Sequence, residues 1–226
     1  MRVAAVLAFS WVLVLSSSPP AYSLPLPAVT TSVTNSFTGF NTDQAIGWEF
    51  TANSFLSVTH LGLWDNLDDG LPGSYEMGLY RVSDQALLGS VTVGVADALD
   101  AHFRYAALAS AVALSTGENY AVVVYTGSAP TLLYITNSPP DDQVTYDSTI
   151  TYVAERKTND AGSLIYPDEL ITSNLARVGP TFRFVPEPTT STLFTVGLLL
   201  GFVQPAADRK CRPHFASTSD NGRSVN

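Results

Sequence analysis

The stretch Asp65-Asn66-Leu67-Asp68-Asp69-Gly70 gathers three carboxylates and an amide within one short turn. Hard oxygen donors at this density suit Ca²⁺, which takes about six to eight oxygen ligands. Asp65, Asp69, Gly70 and Glu76 even fall at the first, fifth, sixth and twelfth places of a helix-loop-helix calcium loop. Leu67 spoils the third place and the flanks read as strands, so that motif is rejected. Two expectations remain: a looser Ca²⁺ site on Asp65, Asp68 and Asp69, or a plain polar hairpin turn with no cofactor. Trp64 and Tyr75 flank the turn, and exposed aromatic faces stack on flat apolar surfaces such as sugar rings. This pair is the candidate glycan-binding surface. Trp48, Tyr80, Tyr134, Tyr146 and Tyr152 are expected in the core or as cross-strand partners, since strands favour aromatics.

Catalytic constellations are scarce. His60 and His102 lack a Gly-x-Ser-x-Gly turn, an HExxH pair or a phosphate-cradling glycine loop to give them a role. His60 alternates with Val58 and Gly62, which reads as a histidine on a sheet face. The carboxylate pairs Asp141-Asp142 and Asp168-Glu169 flank turns or prolines and give no specific support to glycoside hydrolysis. The expectation is a protein that is not an enzyme, with no catalytic residue.

Strands must position these groups, because the hydrophobic period between the termini is two. Phe182 and Phe184 alternate with Thr181 and Arg183, Phe103 and Tyr105 with His102 and Arg104, and Val91, Val93 and Val95 with Thr92 and Gly94. Further strands are expected over 45–51, 56–64, 74–82, 120–125, 132–135 and 144–153, with 106–114 ambiguous. Asp69-Gly70, Pro72-Gly73, Thr116-Gly117, Thr126-Gly127 and Pro139-Pro140 supply the turns. Many short strands at this spacing predict an all-β fold, an antiparallel β-sandwich of jelly-roll or Greek-key kind. Leu61, Leu63, Leu79, Val91, Val93, Phe103, Val122, Val124 and Phe182 are the expected core.

Charge and cysteine content narrow the function further. Between Leu24 and Val185 there are six Lys/Arg against seventeen Asp/Glu, within a chain of net charge −9. Nucleic acid, whose phosphates demand a basic footprint, is not an expected partner. The single cysteine, Cys211, lies outside this region. No disulfide holds the domain together, so apolar burial and sheet hydrogen bonds must do so.

Both termini carry export chemistry. Arg2, an apolar run from Val3 to Leu15 and the small residues of Ala21-Tyr22-Ser23 read as a secretory signal helix, cut by signal peptidase after Ser23. Near the other end stand Val185-Pro186-Glu187-Pro188, then twenty residues without charge from Pro188 to Ala207, then Arg209, Lys210 and Arg212. As a helix, twenty residues would reach about 30 Å, the thickness of a bilayer's hydrocarbon core. The basic cluster would stay on the cytoplasmic side. Pro186 and Pro188 remove two amide donors, and the chain around Glu187 is expected to be extended, outside any sheet and accessible.

This order of motif, apolar span and basic stop resembles the PEP-CTERM sorting signal of exported bacterial proteins. The resemblance implies recognition of the tail by exosortase, an integral-membrane processing enzyme, and association with exopolysaccharide or biofilm matrix. It also implies an exported, cell-envelope or extracellular location, with anchoring to the inner membrane by the C-terminal helix. A second resemblance covers Ile46 to Val82, "IGWEFTANSFLSVTHLGLWDNLDDGLPGSYEMGLYRV", with "LSTGENYAVVVYT" at Leu114 to Thr126 fitting a closing hairpin. It is similar to small β-sandwich modules of unknown function found before such tails. The expected organisation is therefore a signal peptide over 1–23, a β-sandwich over 24–185, a sorting and anchor segment over 186–212 and a disordered tail over 213–226. The expected role is that of a non-catalytic extracellular-matrix or cell-surface protein. The alternative is a carbohydrate-binding module for exopolysaccharide, assisted by calcium.

Overall fold

The computed structural model describes residues 23–36, 38–128, 132–137, 143–171 and 176–187. The signal helix, the C-terminal helix, Pro188, the Arg209/Lys210/Arg212 stop and the final tail all lie outside the described residues, as do Pro139-Pro140 and Asp141-Asp142.

The described chain is all-β. Its strands are β1 (Leu26–Pro27), β2 (Val29–Thr31), β3 (Ala45–Ala52), β4 (Leu56–Trp64), β5 (Tyr75–Arg81), β6 (Leu87–Val93), β7 (Ala98–Asp100) and β8 (Phe103–Leu114). They continue with β9 (Asn119–Tyr125), β10 (Ile135–Asn137), β11 (Val144–Tyr146), β12 (Ile150–Thr158), β13 (Glu169–Ile171), β14 (Ala176–Val178) and β15 (Pro180–Pro186). A five-stranded sheet has the order β1-β15-β4-β8-β7 and a six-stranded sheet the order β13-β12-β3-β9-β5-β6. Two small sheets, β10-β14 and β11-β2, complete the set. All of these pairings are antiparallel.

Alternation explains which faces meet. Trp48 and Phe50 of β3, Met77 and Leu79 of β5, and Val122 and Val124 of β9 share one apolar cluster with residues of the five-stranded sheet. Among the latter are Leu61 and Leu63 of β4, Phe103 of β8, and Phe182 and Phe184 of β15. Phe182 touches Phe50 at 4.8 Å and Trp48 at 6.0 Å between ring centroids, so aromatics of the two sheets interlock. Burying each such side chain stabilises by about 1.5–3 kcal/mol. In β4 the register slips between Val58 and His60 against both neighbours. A bulge of this kind lets Leu56 and Val58 before it, and Leu61 and Leu63 after it, reach the same core despite the odd spacing. The outer face of β3 is also covered: Leu164 and Tyr166 pack over Ala45, Tyr80, Ala121 and Val123.

Eight of the nine expected core residues are buried, and Val91 is half-buried against the cluster. Other expectations need correction. Val95 is 59 % exposed, because β6 ends at Val93 and the Asp97 side chain caps the turn by accepting from the Gly94 N–H at 2.7 Å. The ambiguous 106–114 is strand, the continuation of β8 alongside β4. The single strand expected over 144–153 is two, separated where Asp147 Oδ1 accepts from the Thr149 N–H and hydroxyl. Of 132–135, only Ile135 belongs to a strand, β10, with Leu133 in an isolated bridge to Gly39.

The start of the proline motif is in the sheet, contrary to expectation. Val185 and Pro186 pair with Ser57 and Leu56 of β4, and the Glu187 N–H donates to the Phe55 carbonyl at 3.2 Å. The Ser57 hydroxyl donates to the Glu187 carboxylate. Pro186 is tolerated because backbone donors alternate sides along a strand. With Glu187 facing β4, the missing Pro186 donor falls on the opposite side, where β1 pairs only as far as Leu26 opposite Phe184. The chain divides into compact units after Glu187.

Candidate functional site

The acidic turn follows directly from β4, and its first carboxylate points into the protein. Asp65 is 0 % exposed. Its Oδ2 accepts from Arg104 Nε at 2.6 Å, and its Oδ1 accepts from the Gly70 N–H at 3.0 Å. Arg104, on β8, also donates through Nη1 to the carbonyls of Val95 and Asp97, at 2.8 and 3.0 Å. A buried carboxylate without such a partner would be severely destabilising. Asp65 therefore closes the turn on itself and ties it to the β6–β7 connection.

The second carboxylate is also engaged. His102 Nδ1 lies 2.9 Å from Asp68 Oδ2, and the Asp65 N–H donates to the His102 carbonyl at 2.8 Å. Left-handed backbone clusters at this contact: Leu67 and Asp68 have φ of 63° and 59°, and Ala101 and His102 have φ of 48° and 70°. Ala101 and His102 form the two-residue link between β7 and β8, where a hairpin of right-handed twist requires positive φ at both positions. Non-glycine residues persist in this region only when their surroundings enforce it. The Asp68–His102 contact and the Asp65–His102 backbone bond supply that enforcement. Gly70, at φ 117°, needs the freedom of a missing side chain.

Asp69 is exposed at the rim and takes no part in an ion pair among the described residues. The three aspartates do not converge: among the described residues, no three His, Cys, Asp or Glu side chains gather as a metal-ligating set. Of the oxygens read from the sequence as calcium donors, those of Asp65 face Arg104 and Gly70 and those of Asp68 face His102.

The aromatic pair is corrected by burial. Trp64 is 1 % and Tyr75 2 % exposed, so neither ring presents a face on which a sugar could stack. Tyr75 alternates into the core with Met77 and Leu79, and Trp64, the last residue of β4, joins the same cluster although it follows the inward Leu63. Burial also pushes the Tyr75 hydroxyl pKa up. The Trp64 Nε1–H is buried without an acceptor among the described residues. Trp64 forms part of the wall of a cavity of about 230 Å³ between the acidic turn and Leu132-Leu133. Asn66, Asp69, Gly70, Leu71 and Pro72 supply the turn's side of that cavity. The Asn66 Oδ1 accepts from the Ser36 N–H at 2.7 Å, and the Leu67 N–H donates to the Thr34 carbonyl at 2.7 Å, which ties the turn to the N-terminal segment.

The remaining candidate groups lie apart. His60 is on the sheet face, with Nδ1 2.9 Å from the Thr59 hydroxyl; burial first and the Arg183 charge second hold its pKa below the usual value. Asp168 closes a turn by accepting from the Thr158 hydroxyl at 2.6 Å. Sequence reading missed two further buried pairs. Arg156 donates to Glu49 at 2.6 Å, and Arg177 to Glu155 at 2.8 Å, where burial pushes the Glu155 carboxyl up against the opposing pull of Arg177. The local signal for Glu49 was its place between Trp48 and Phe50 in a strand covered on both sides. Nothing local marked Arg177, whose partner is far along the chain. No protein-family model matches the chain, and no curated protein matches it in sequence. Fold and site together define an all-β domain with internally paired charges and a small cavity beside an acidic turn.

Proposed function

We propose that the chain is an exported, non-catalytic protein of the cell surface or extracellular matrix, its two main sheets stacked as a β-sandwich of jelly-roll kind. On this reading the segment after Glu187 delivers it, through a membrane processing enzyme of the exosortase kind, to an exopolysaccharide or biofilm matrix. The observation that carries the proposal is where the fold stops. Among the described residues the last strand ends at Pro186, Glu187 is fastened to Phe55 and Ser57, and the compact unit closes at the motif that resembles a sorting signal. A tail starting there can be held in a membrane or removed without withdrawing a strand from the core. The pairing of Asp65, Glu49 and Glu155 with arginines supports a structural use of the buried charges.

Cell fractionation with mass spectrometry of the mature C-terminus tests this reading. A terminus close to Pro186-Glu187-Pro188 in the released fraction is the expected result. An intact Asn226 terminus in the membrane fraction would leave only a simple anchor, and an intact terminus in the cytoplasm would overturn export altogether.

The second reading, a carbohydrate-binding module, draws on a different observation. The cavity beside Trp64 is lined by the exposed Asp69, by Asn66 and by apolar side chains. Retention of the full chain on immobilised glucan, galactan, mannan or polyuronate distinguishes the readings, since the first requires no affinity of its own.

A further inference from the structure

We propose that the free edge of β6 is the surface through which two copies of this chain pair, each adding its edge strand to the six-stranded sheet of the other. The proposal goes beyond the export reading and does not depend on it. An exposed strand edge presents a row of unpaired N–H and C=O groups, and proteins blunt such edges with short strands, charges, prolines or bulges.

The other edges of the two main sheets carry these devices. β1 has two residues and includes Pro27; β7 has three and ends at Asp100, which pairs with Arg183. β13 has three and begins at Glu169, which pairs with Lys157. Beyond β7, β8 is bent by a bulge that sets Leu108 to Ala111 against Thr59 alone. β6 is the exception. It runs for seven residues without charge or proline, and no charged residue occurs from Gln85 to Ala96. Its own bulge, at Leu88, leaves Gly89 to Val93 in regular register with β5.

The direction of the free groups follows from β5. The Arg81 N–H donates to the Ala86 carbonyl, on the β6 side, and the Val82 N–H to the Asn119 carbonyl, on the β9 side. By alternation Tyr75, Met77 and Leu79 direct their backbone groups to β6, where their partners are Val93, Val91 and Gly89. The N–H and C=O of Ser90 and Thr92 therefore point away from the sheet, and no strand or bridge takes them up among the described residues. Gly94, next in the same phase, is already capped, its N–H donating to the Asp97 carboxylate and its carbonyl accepting from the Asp97 N–H.

Self-complementarity and charge select the occupant. About a two-fold axis at Val91, Ser90 of one copy lies opposite Thr92 of the other, each pair exchanging both N–H···O bonds and setting two hydroxyls side by side. The body carries a large excess of acids, so two copies repel in most orientations, and this side is where the acids are missing. It is widened by β8, uncharged from Tyr105 to Gly117, whose Leu108 and Val112 lie against Gly89. Exposed Leu87 and Val95 add apolar contact at the two ends of the edge. A basic partner would be drawn to the acidic surface elsewhere and would find no charge here to recognise. Stable interfaces bury about 1,200–2,000 Å², so an edge this short supports a reversible dimer rather than an obligate one.

Sedimentation equilibrium of the full chain, with amide hydrogen exchange over residues 87–94 at rising protein concentration, tests the proposal. The expected result is a reversible dimer whose formation slows exchange at Ser90 and Thr92. Thr92→Pro removes a donor that the single chain does not use, so it should leave the thermal midpoint of the dilute chain unchanged and weaken self-association by at least about tenfold. Thr92→Lys, which sets like charges near the axis, should weaken it similarly, and mixing Thr92→Lys with Thr92→Glu should restore a mixed dimer. Exchange that ignores concentration overturns the inference. So does association that neither Thr92→Pro nor Thr92→Lys weakens, which would place the contact on another segment. Should Thr92→Pro disturb the fold, the mixture decides: recovery of a dimer supports the β6 edge, and its absence rejects it.

Discussion

Trp48 and Trp64 sit on successive strands, both fully buried, and they end in opposite situations. Trp48 is enclosed by Phe50, Tyr146, Tyr152 and Phe182, and its indole donor meets the Pro180 carbonyl. Trp64 is just as inaccessible, yet its donor meets no acceptor among the described residues and the residue borders a cavity. Equal burial thus conceals unequal satisfaction. An indole whose donor is met within an aromatic cluster is held in place by both packing and a hydrogen bond, whereas Trp64 is held by packing alone.

The largest expected effect comes from breaking the closed side. Trp48→Ala should destabilise by about 3–5 kcal/mol, read as a loss of chemical-denaturation midpoint at unchanged slope, because it opens the contact between sheets and orphans the Pro180 carbonyl. Nearly as large is the removal of the bond that frames the open side. Asp65→Ala should cost about 3 kcal/mol by leaving Arg104 without its buried counter-charge. If that variant unfolded no more easily than the native chain, the turn beside Trp64 would not be held by Arg104.

A matched pair of smaller changes addresses the comparison itself. Trp48→Phe and Trp64→Phe remove similar volume, but only the first breaks a hydrogen bond, so it should cost more by about 1–3 kcal/mol. Equal costs in parallel denaturation curves would show that Trp64 has a structural acceptor after all, and the contrast would fail.

The smallest effect concerns pH and asks whether β4 as a whole is under-satisfied. His60 sits mid-strand, and burial followed by the Arg183 charge lowers its pKa from the ordinary histidine value of 6.5. Between the lowered native value and about 6.5 the unfolded chain binds more protons than the native one, so this residue's contribution to stability is complete above that window and declines as the pH falls through it. His60→Gln should therefore lose less stability than the native chain between neutral and mildly acidic pH. Denaturation midpoints measured for both at several pH values give the slope directly. Identical slopes would place the acid sensitivity in the carboxylates alone.

The strands were legible because the two-residue period is local: Leu61-Gly62-Leu63-Trp64 and Phe182-Arg183-Phe184 announce their inward positions without reference to anything distant. Legibility failed where a local pattern had two physical outcomes. Asp-Asn-Leu-Asp-Asp-Gly is equally a cation loop and a self-closing turn, and nothing local says that its first carboxylate faces Arg104, thirty-nine residues away. Trp64 and Tyr75 are equally a sugar platform and core aromatics until the faces of the sheets are known. The prolines at the end of β15 looked incompatible with a sheet. The termination of β1 opposite Phe184 removes the conflict, and that is a fact about a strand some one hundred and sixty residues earlier.

The amino-acid sequence by itself determined an all-β, antiparallel body, its apolar residues and the absence of any disulfide to hold it, because alternation and cysteine content act through nearest neighbours and chemistry alone. Tertiary structure decided which carboxylates face arginines, which indole finds an acceptor and where the last strand is allowed to stop. Those outcomes depend on distances between segments remote along the chain, and burial makes each unpaired charge or donor costly enough for such distances to matter.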